Sequence, residues 1–234
     1  MSVLGASRVA HFVTALTCVL VATCATPRRD AGVLMLADGA ALRGSIAVER
    51  MWIPAGATVH VEGDLDIQAS GIVRIDGVLA VRDAANLGVE DAPDVRIASS
   101  LVIDVGGAIR GGRGRDGDAS APHGGDGSTL DLAAPLVRIA GEVRGGDAGD
   151  GGPAGAGGNG GSVLVDGTMQ RRFDAHSYWQ VAGGRGGNGG SPGGDGGEGG
   201  ATISTVSEAL RTRLLERGAE IQAALAADPS ANSG

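Results

Sequence analysis

Three glycine tracts run through the second half of the chain, from Gly111 to Gly127, Gly145 to Gly161 and Gly183 to Gly200. The last reads Gly-Gly-Arg, Gly-Gly-Asn, Gly-Gly, then Ser191-Pro192, then Gly-Gly-Asp, Gly-Gly-Glu, Gly-Gly, and the middle tract keeps the same period of three. Three residues per turn is the repeat of polyproline II geometry, so the non-glycine residues fall along one edge. The bare glycine edges can then approach one another closely enough for Cα–H···O contacts. At ~3.1 Å per residue, a tract such as 183–200 would span about 55 Å if straight, too long for a simple crossing. Each tract carries a proline near its middle (Pro122, Pro153, Pro192), where an out-and-back path needs a turn. The pattern predicts three stacked polyglycine hairpins rather than flexible linkers, which favour Ser over paired Gly. The first tract is the least regular, around Asp118 to His123, and a looser tip is expected there.

Before and between the tracts lie short segments of strict alternation. Val59, Val61, Gly63, Leu65 and Ile67 face one way, and His60, Glu62, Asp64 and Asp66 face the other. At a shift of 14, Val73, Ile75, Gly77, Leu79 and Val81 take the inward positions with Arg74, Asp76 and Arg82 outside. The recurrence suggests strands stacked in register with a glycine at a bend, and it makes Arg74 and Asp76 the expected neighbours of the first acidic row. Further on, Ile103, Val105, Gly107 and Ile109 match Val137, Ile139, Gly141 and Val143 at a shift of 34. Trp179 and Val181 continue that series at a shift of 38. Each tract leads into another strand, at Ser128–Leu132, Ser162–Val165 and Ala201–Val206. Repeats of a unit that cannot bury its own apolar face imply a solenoid. Composition agrees, since 42% of residues are hydrophobic but only 2% aromatic, which suits a narrow core of stacked short strands.

The amino terminus reads as a targeting segment. Arg8 precedes an apolar run from Phe12 to Ala22 that is too short to span a bilayer. Both cysteines, Cys18 and Cys24, fall in this region, so the body has no disulfide framework and no thiolate chemistry. Val21-Ala22-Thr23-Cys24 resembles the lipobox of bacterial lipoproteins, which implies lipid attachment at Cys24 and, with Ala25 following, onward transport to the outer membrane. Ordinary cleavage near Ala25 to give a periplasmic or secreted protein is the alternative. At the other end, Thr205 and Glu208 form a candidate capping box, and Leu210, Leu214, Gly218, Ile221 and Leu225 make one apolar helix face ended by Asp228-Pro229. A helix covering the open end of the solenoid is expected. The predicted organisation is a signal segment over 1–24, a tether over 25–40, a glycine-rich β-helix over 41–206, a capping helix over 207–228 and a disordered tail over 229–234.

The strand-bend-strand units resemble right-handed parallel β-helices, and Val61-Glu62-Gly63-Asp64-Leu65 with its echo at Ile75-Asp76-Gly77 is similar to the repeats of bactofilins, which polymerise. The Gly-Gly-x tracts resemble the glycine-helix bundles of springtail antifreeze proteins, phage tail-fibre adhesins and the amino-terminal domain of Obg-type GTPases. These resemblances imply an all-β fold: a single right-handed parallel β-helix with polyglycine hairpin excursions and a carboxy-terminal capping helix.

Sites of chemistry are sparse. Parallel β-helices include polysaccharide lyases and hydrolases, whose catalysis needs clustered carboxylates in a groove. The best candidate is the row His60, Glu62, Asp64, Asp66, which also suits a solvated outer face. Gly111-Gly112-Arg113-Gly114-Arg115-Asp116 matches the start of a calcium-binding nonapeptide once, but its two arginines oppose a cation. The formal net charge of −8 argues against nucleic acid and against electrostatic docking on anionic lipid. Trp179, beside His176 and Tyr178, is expected to fill the core, and Trp52 to plug the amino-terminal end of the solenoid.

The residues therefore point to a non-catalytic surface protein with no cofactor or metal, tethered through Cys24. Its expected contact surface is the blade edge with Arg113, Asp147, Asp150, Arg185, Asn188, Asp195 and Glu198. Expected partners are a glycan, another envelope protein or a copy of itself. A polysaccharide-active enzyme and an ice-binding or self-assembling matrix protein are the alternatives.

Overall fold

The computed structural model describes residues 28–30, 32–171 and 181–226. In chain order the strands are β1 (Arg28–Asp30), β2 (Val33–Met35), β3 (Ala41–Val48), β4 (Arg50–Ile53), β5 (Thr58–Ala69), β6 (Ile72–Ile75), β7 (Val78–Val81), β8 (Val95–Ser99), β9 (Val102–Val105) and β10 (Ala108–Arg110). They continue with β11 (Leu130–Ile139), β12 (Glu142–Arg144), β13 (Val163–Arg171), β14 (Val181–Ala182) and β15 (Thr202–Thr205). The described residues also form two helices, α1 (Ala84–Leu87) and α2 (Glu208–Ala226). Among the described residues these strands form one curled, mostly parallel sheet, in which the β1–β2 pair alone is antiparallel.

The pairing resolves into three parallel ladders. The first joins β2, β4, β6, β9, the second half of β11 and the second half of β13. The second joins Ala41 and Leu42 to the first half of β5, then β7, β10, β12 and β14. The third joins the second half of β3 to the second half of β5, then β8, the first half of β11, the first half of β13 and β15. The chain visits the ladders in the same order on every circuit, as a β-solenoid does. Among the described residues strand pairing starts at Arg28, inside the segment expected to be a tether, and Leu34 and Leu36 already belong to the core.

Alternation fills the interior. Ile53, Val59, Val61, Ile67, Val73, Ile75, Leu79, Ile97, Ile103, Val105, Ile109, Leu130, Leu132, Val137, Val143 and Val163 are fully buried in one apolar column. Burying each such side chain contributes about 1.5–3 kcal/mol. Shifts of 34 and 38 are the true registers in the upper circuits, pairing Ile103 with Val137, Ile109 with Val143 and Val143 with Val181. The shift of 14 is not a register. His60 lies beside Ala80, and Asp66 beside Arg96, so Arg74 and Asp76 do not neighbour the His60 to Asp66 row. Gly77 stacks under Gly107 and Gly141 instead, where a Cβ would run into the carbonyls of the circuit below.

Two further expectations are corrected. Trp52 does not plug the amino-terminal end. It sits on the outward phase of β4 between buried Met51 and Ile53, and its indole Nε1–H donates to Asp76 Oδ2 at 2.9 Å. Helix α2 does not cover the open end either. It turns back along the flank of the first ladder, burying Ile221 with Leu101, Val102 and Leu136, while Ile72, Leu214, Ala224 and Leu225 pack around them. Arg217 ties it to Ser100 and pairs with Glu220. Its first helical bond runs from Arg211 N–H to the Ser207 carbonyl, so Thr205 stays in β15 and the box with Glu208 does not form. Ser207 N–H is held by Asp166 Oδ1 at 2.7 Å.

Candidate contact surface on the glycine blade

Between the second and third ladders the chain departs from regular pairing on successive circuits, first as a short irregularity within β5 and then as long excursions. These departures cover 62–64, then 82–94, then the glycine tracts 111–129, 145–162 and 183–201. The three long ones fold out and back in stacked layers with no regular strand assignment. Within a layer the legs bond directly: Gly125 N–H to Arg115 O, Gly158 to Gly149, and Gly197 to Gly187, at 2.8–3.0 Å. Between layers the lower leg donates upward every third residue. Gly111, Gly114 and Gly117 give to Arg144, Asp147 and Asp150, and Gly145, Ala148 and Gly151 give to Ala182, Arg185 and Asn188. The return legs repeat this from Gly124 and Gly127 to Ala156 and Asn159, then from Gly157 and Gly160 to Asp195 and Glu198. The hairpins are thus hydrogen-bonded inside and between layers, as the period of three predicts.

Turns fall at the prolines. Gly155 N–H closes on Gly152 O around Pro153 and Ala154, which takes a positive φ of 57°. Gly194 closes on Gly190 around Pro192. The first tip is not loose. Asp118 Oδ1 accepts the Ser120 hydroxyl and the amides of Ser120 and Ala121, and these bonds lower its carboxyl to about 2.

Several of the third residues also carry a side chain with a defined use. A carboxylate or amide oxygen in one layer accepts the backbone N–H of the matching residue in the layer above. Asp83 takes Arg113, Asp91 takes Asp126, Asp94 takes Thr129, Asp116 takes Asp150 and Asp126 takes Asn159. Asp147 then takes Arg185, Asp150 takes Asn188 and Asn159 takes Glu198, all between 2.6 and 3.1 Å. Burial pulls the Asp147 carboxyl upward, but the Arg185 amide and the Arg144 guanidinium outweigh it and hold the group below the usual range. These acceptors were not foreseen. Their signal is an Asp or Asn at the same phase of consecutive tracts, 33 to 39 residues apart.

The expected contact residues divide accordingly. Arg113, Asp147 and Asp150 lie along internal seams, with Arg113 bonded to the Ala148 carbonyl, Asp116 and Asp150. Asp116, the acidic residue of the nonapeptide match, is occupied by Arg113 and by the Asp150 amide. Arg185, Asn188, Asp195 and Glu198 lie exposed on the last layer. There Asn188 gives its Nδ2 to Asp150, while the Asp195 and Glu198 carboxylates accept no bond from any described residue. Cys24, and the cluster His176, Tyr178 and Trp179, lie outside the described residues.

On the outer strands, opposite charges alternate up the ladders. Glu62 meets Arg82 at 2.9 Å, Arg96 meets Asp131 at 3.5 Å, Arg138 meets Asp104 at 3.4 Å, and Arg110 meets Glu142 at 3.1 Å. A cavity of about 690 Å³ separates α2 from the first ladder, bordered by Trp52, Arg74, Leu101, Glu220 and Ala224. Its polar groups are engaged with neighbours, Arg74 and Trp52 with Asp76 and Glu220 with Arg217. No described helix is long and apolar enough to cross a membrane. No family model, curated protein or solved structure matches the chain.

Proposed function

We propose that this chain is a non-catalytic lipoprotein of a bacterial cell envelope, a right-handed parallel β-helix that displays a stiff polyglycine blade in a structural or adhesive role. The observation that carries this reading is the hydrogen bonding of the blade. A backbone network repeated over three layers, with acidic side chains joining layer to layer, makes rigid the segments that leave the β-ladders. A rigid surface binds without the cost of ordering side chains and loops on contact. The outer carboxylates support the same reading, because Glu62, Asp104, Asp131 and Glu142 serve as rungs of cross-strand ion pairs. The partners this surface suits are a glycan, another envelope protein or a second copy. The membrane link is the lipid on Cys24.

The test is the intact mass of the mature chain isolated from its native envelope, beside a Cys24→Ala variant. A diacyl or triacyl mass on Cys24, lost in the variant together with membrane association, is the expected result. An unlipidated mature terminus near Ala25 overturns the anchor.

A further inference from the structure

The last layer of the blade is an open hydrogen-bonding face, and we propose that it is closed by the same layer of a second copy of the chain. This deepens the binding role argued above by committing it to one partner. In the layer beneath, Gly145, Ala148, Gly151, Gly157 and Gly160 each donate to a carbonyl of the layer above. Their counterparts at the top, Gly183, Gly186, Gly189, Gly196 and Gly199, have no backbone acceptor among the described residues. Beside this row of donors stand the free carboxylates of Asp195 and Glu198. The adjoining strand β15 is exposed throughout and, among the described residues, pairs on one side only; its Ile203 is 47% exposed, and Val206 just beyond it 49%. Because α2 lies along the flank, no described helix covers this end. Unpaired backbone edges of this kind are templates for pairing with another chain.

The glycines themselves point to a close partner. At Gly157 and Gly160 a side chain is excluded by the layer above, where a Cβ would lie 2.5 Å from the Gly187 carbonyl carbon and 2.6 Å from that of Gly184. At the matching Gly196 and Gly199 the nearest atoms are 3.5 and 3.7 Å away, so no described residue demands glycine there. A second layer seated on top would demand it.

Charge selects the arrangement. The bonds from Gly197 to Gly187 and from Gly200 to Gly184 set Arg185 across the hairpin from Glu198, and Asn188 across from Asp195. A twofold axis running along the blade lays each outgoing leg over the partner's return leg. Arg185 of each copy then meets Glu198 of the other, twice by symmetry, and the open N–H groups of the outgoing leg, Gly183, Gly186 and Gly189, face the leg that carries Asp195 and Glu198.

Sedimentation velocity of the full mature chain, in mild detergent where lipid is attached, tests this. The wild type is expected to sediment as a dimer. Arg185→Glu and Glu198→Arg should each weaken it at least about tenfold, and the double variant should return to within about threefold. Gly199→Val should abolish the dimer while leaving the circular dichroism spectrum unchanged. A wild-type monomer at about 100 µM, a dimer indifferent to these changes, or a double variant no tighter than the single ones overturns the proposal. An anchored monomer would leave the envelope reading standing, and an unlipidated dimer would overturn only the anchor.

Discussion

Replacing Gly146 by alanine probes whether the glycine tracts are packed solid. In the middle layer a Cβ on Gly146 would lie 2.5 Å from the Ser128 amide nitrogen, 2.9 Å from the Gly112 carbonyl carbon, and closer still to the Gly112 oxygen. Ordinary contact begins near 3.4 Å, so the first of these falls about 0.9 Å short. All three neighbours are backbone and cannot swing aside as a flexible side chain would. To admit the methyl group the layers must part, and the bonds that hold Gly146 in place go with them. They run from Gly146 N–H to Ser128 O at 2.9 Å and from Gly161 N–H to Gly146 O at 2.8 Å. Two lost bonds at about 1 kcal/mol each, plus the strain of overpacking, give about 2–4 kcal/mol of destabilisation. For a domain of this size that lowers the thermal midpoint by about 5–12 °C. The control is Gly63→Ala, where the nearest neighbour is Arg43 Cβ at an ordinary 3.5 Å. Thermal melts followed by far-ultraviolet circular dichroism compare the two. If Gly146→Ala melts within about 1 °C of Gly63→Ala, the tract is not confined between layers and the packing argument is wrong.

Three other predictions concern charge and the flank. Burial, reinforced by Asp64, Asp91 and Asp126 and opposed by the Thr129 amide, raises the Asp94 carboxyl, so its charge weighs against the fold as pH rises above the ordinary 3.8. Asp94→Asn keeps the oxygen that accepts Thr129 N–H, and should melt about 1–2 °C higher at pH 7 with the advantage gone below pH 3.8. Asp118 acts in the opposite sense: its tip contacts contribute fully above 3.8 and fade as pH falls towards about 2. A carboxyl titration by NMR should place its midpoint near that lower value, and a midpoint at 3.8 would mean the first tip is open. Ile221→Ala should cost about 2–4 kcal/mol by hollowing the contact with Leu101 and Leu136. Loss of helical signal from α2 before the sheet melts would accompany it.

The sequence made the upper circuits readable because Ile103 to Ile109 and Val137 to Val143 carry the same alternation around the same glycine. It misled in the lower circuits for a physical reason. Adjacent faces of one circuit obey the same inward-outward rule as strands stacked along the axis, so the match between Val59–Ile67 and Val73–Val81 was indifferent to which neighbour it described. The excursions between circuits also change length, which hides the true shifts of 20 and 30 seen between Val59 and Leu79 and between Ile67 and Ile97. Helix placement failed differently. An amphipathic face tells that a helix is buried but not on what. The missed clue was a break in alternation at Ile72-Val73, Val102-Ile103 and Leu136-Val137, where an outward position turns apolar once per circuit in register. On the blade, the period of three and the proline tips were legible, whereas the acceptor role of the third residue depends on layers 33 to 39 residues apart coming together. Asp147 and Asp150 read as contact groups for want of that knowledge.

The glycine tracts form an ordered, hydrogen-bonded stack rather than tethered coils. Residue-resolved amide hydrogen exchange on the mature chain addresses it directly. The account predicts that the amides of Gly146, Gly149, Gly152, Gly158 and Gly161, each bonded between or across layers, exchange as slowly as those of the neighbouring strands β11 and β13. Exchange of all five at the rate of an unstructured glycine peptide would contradict it.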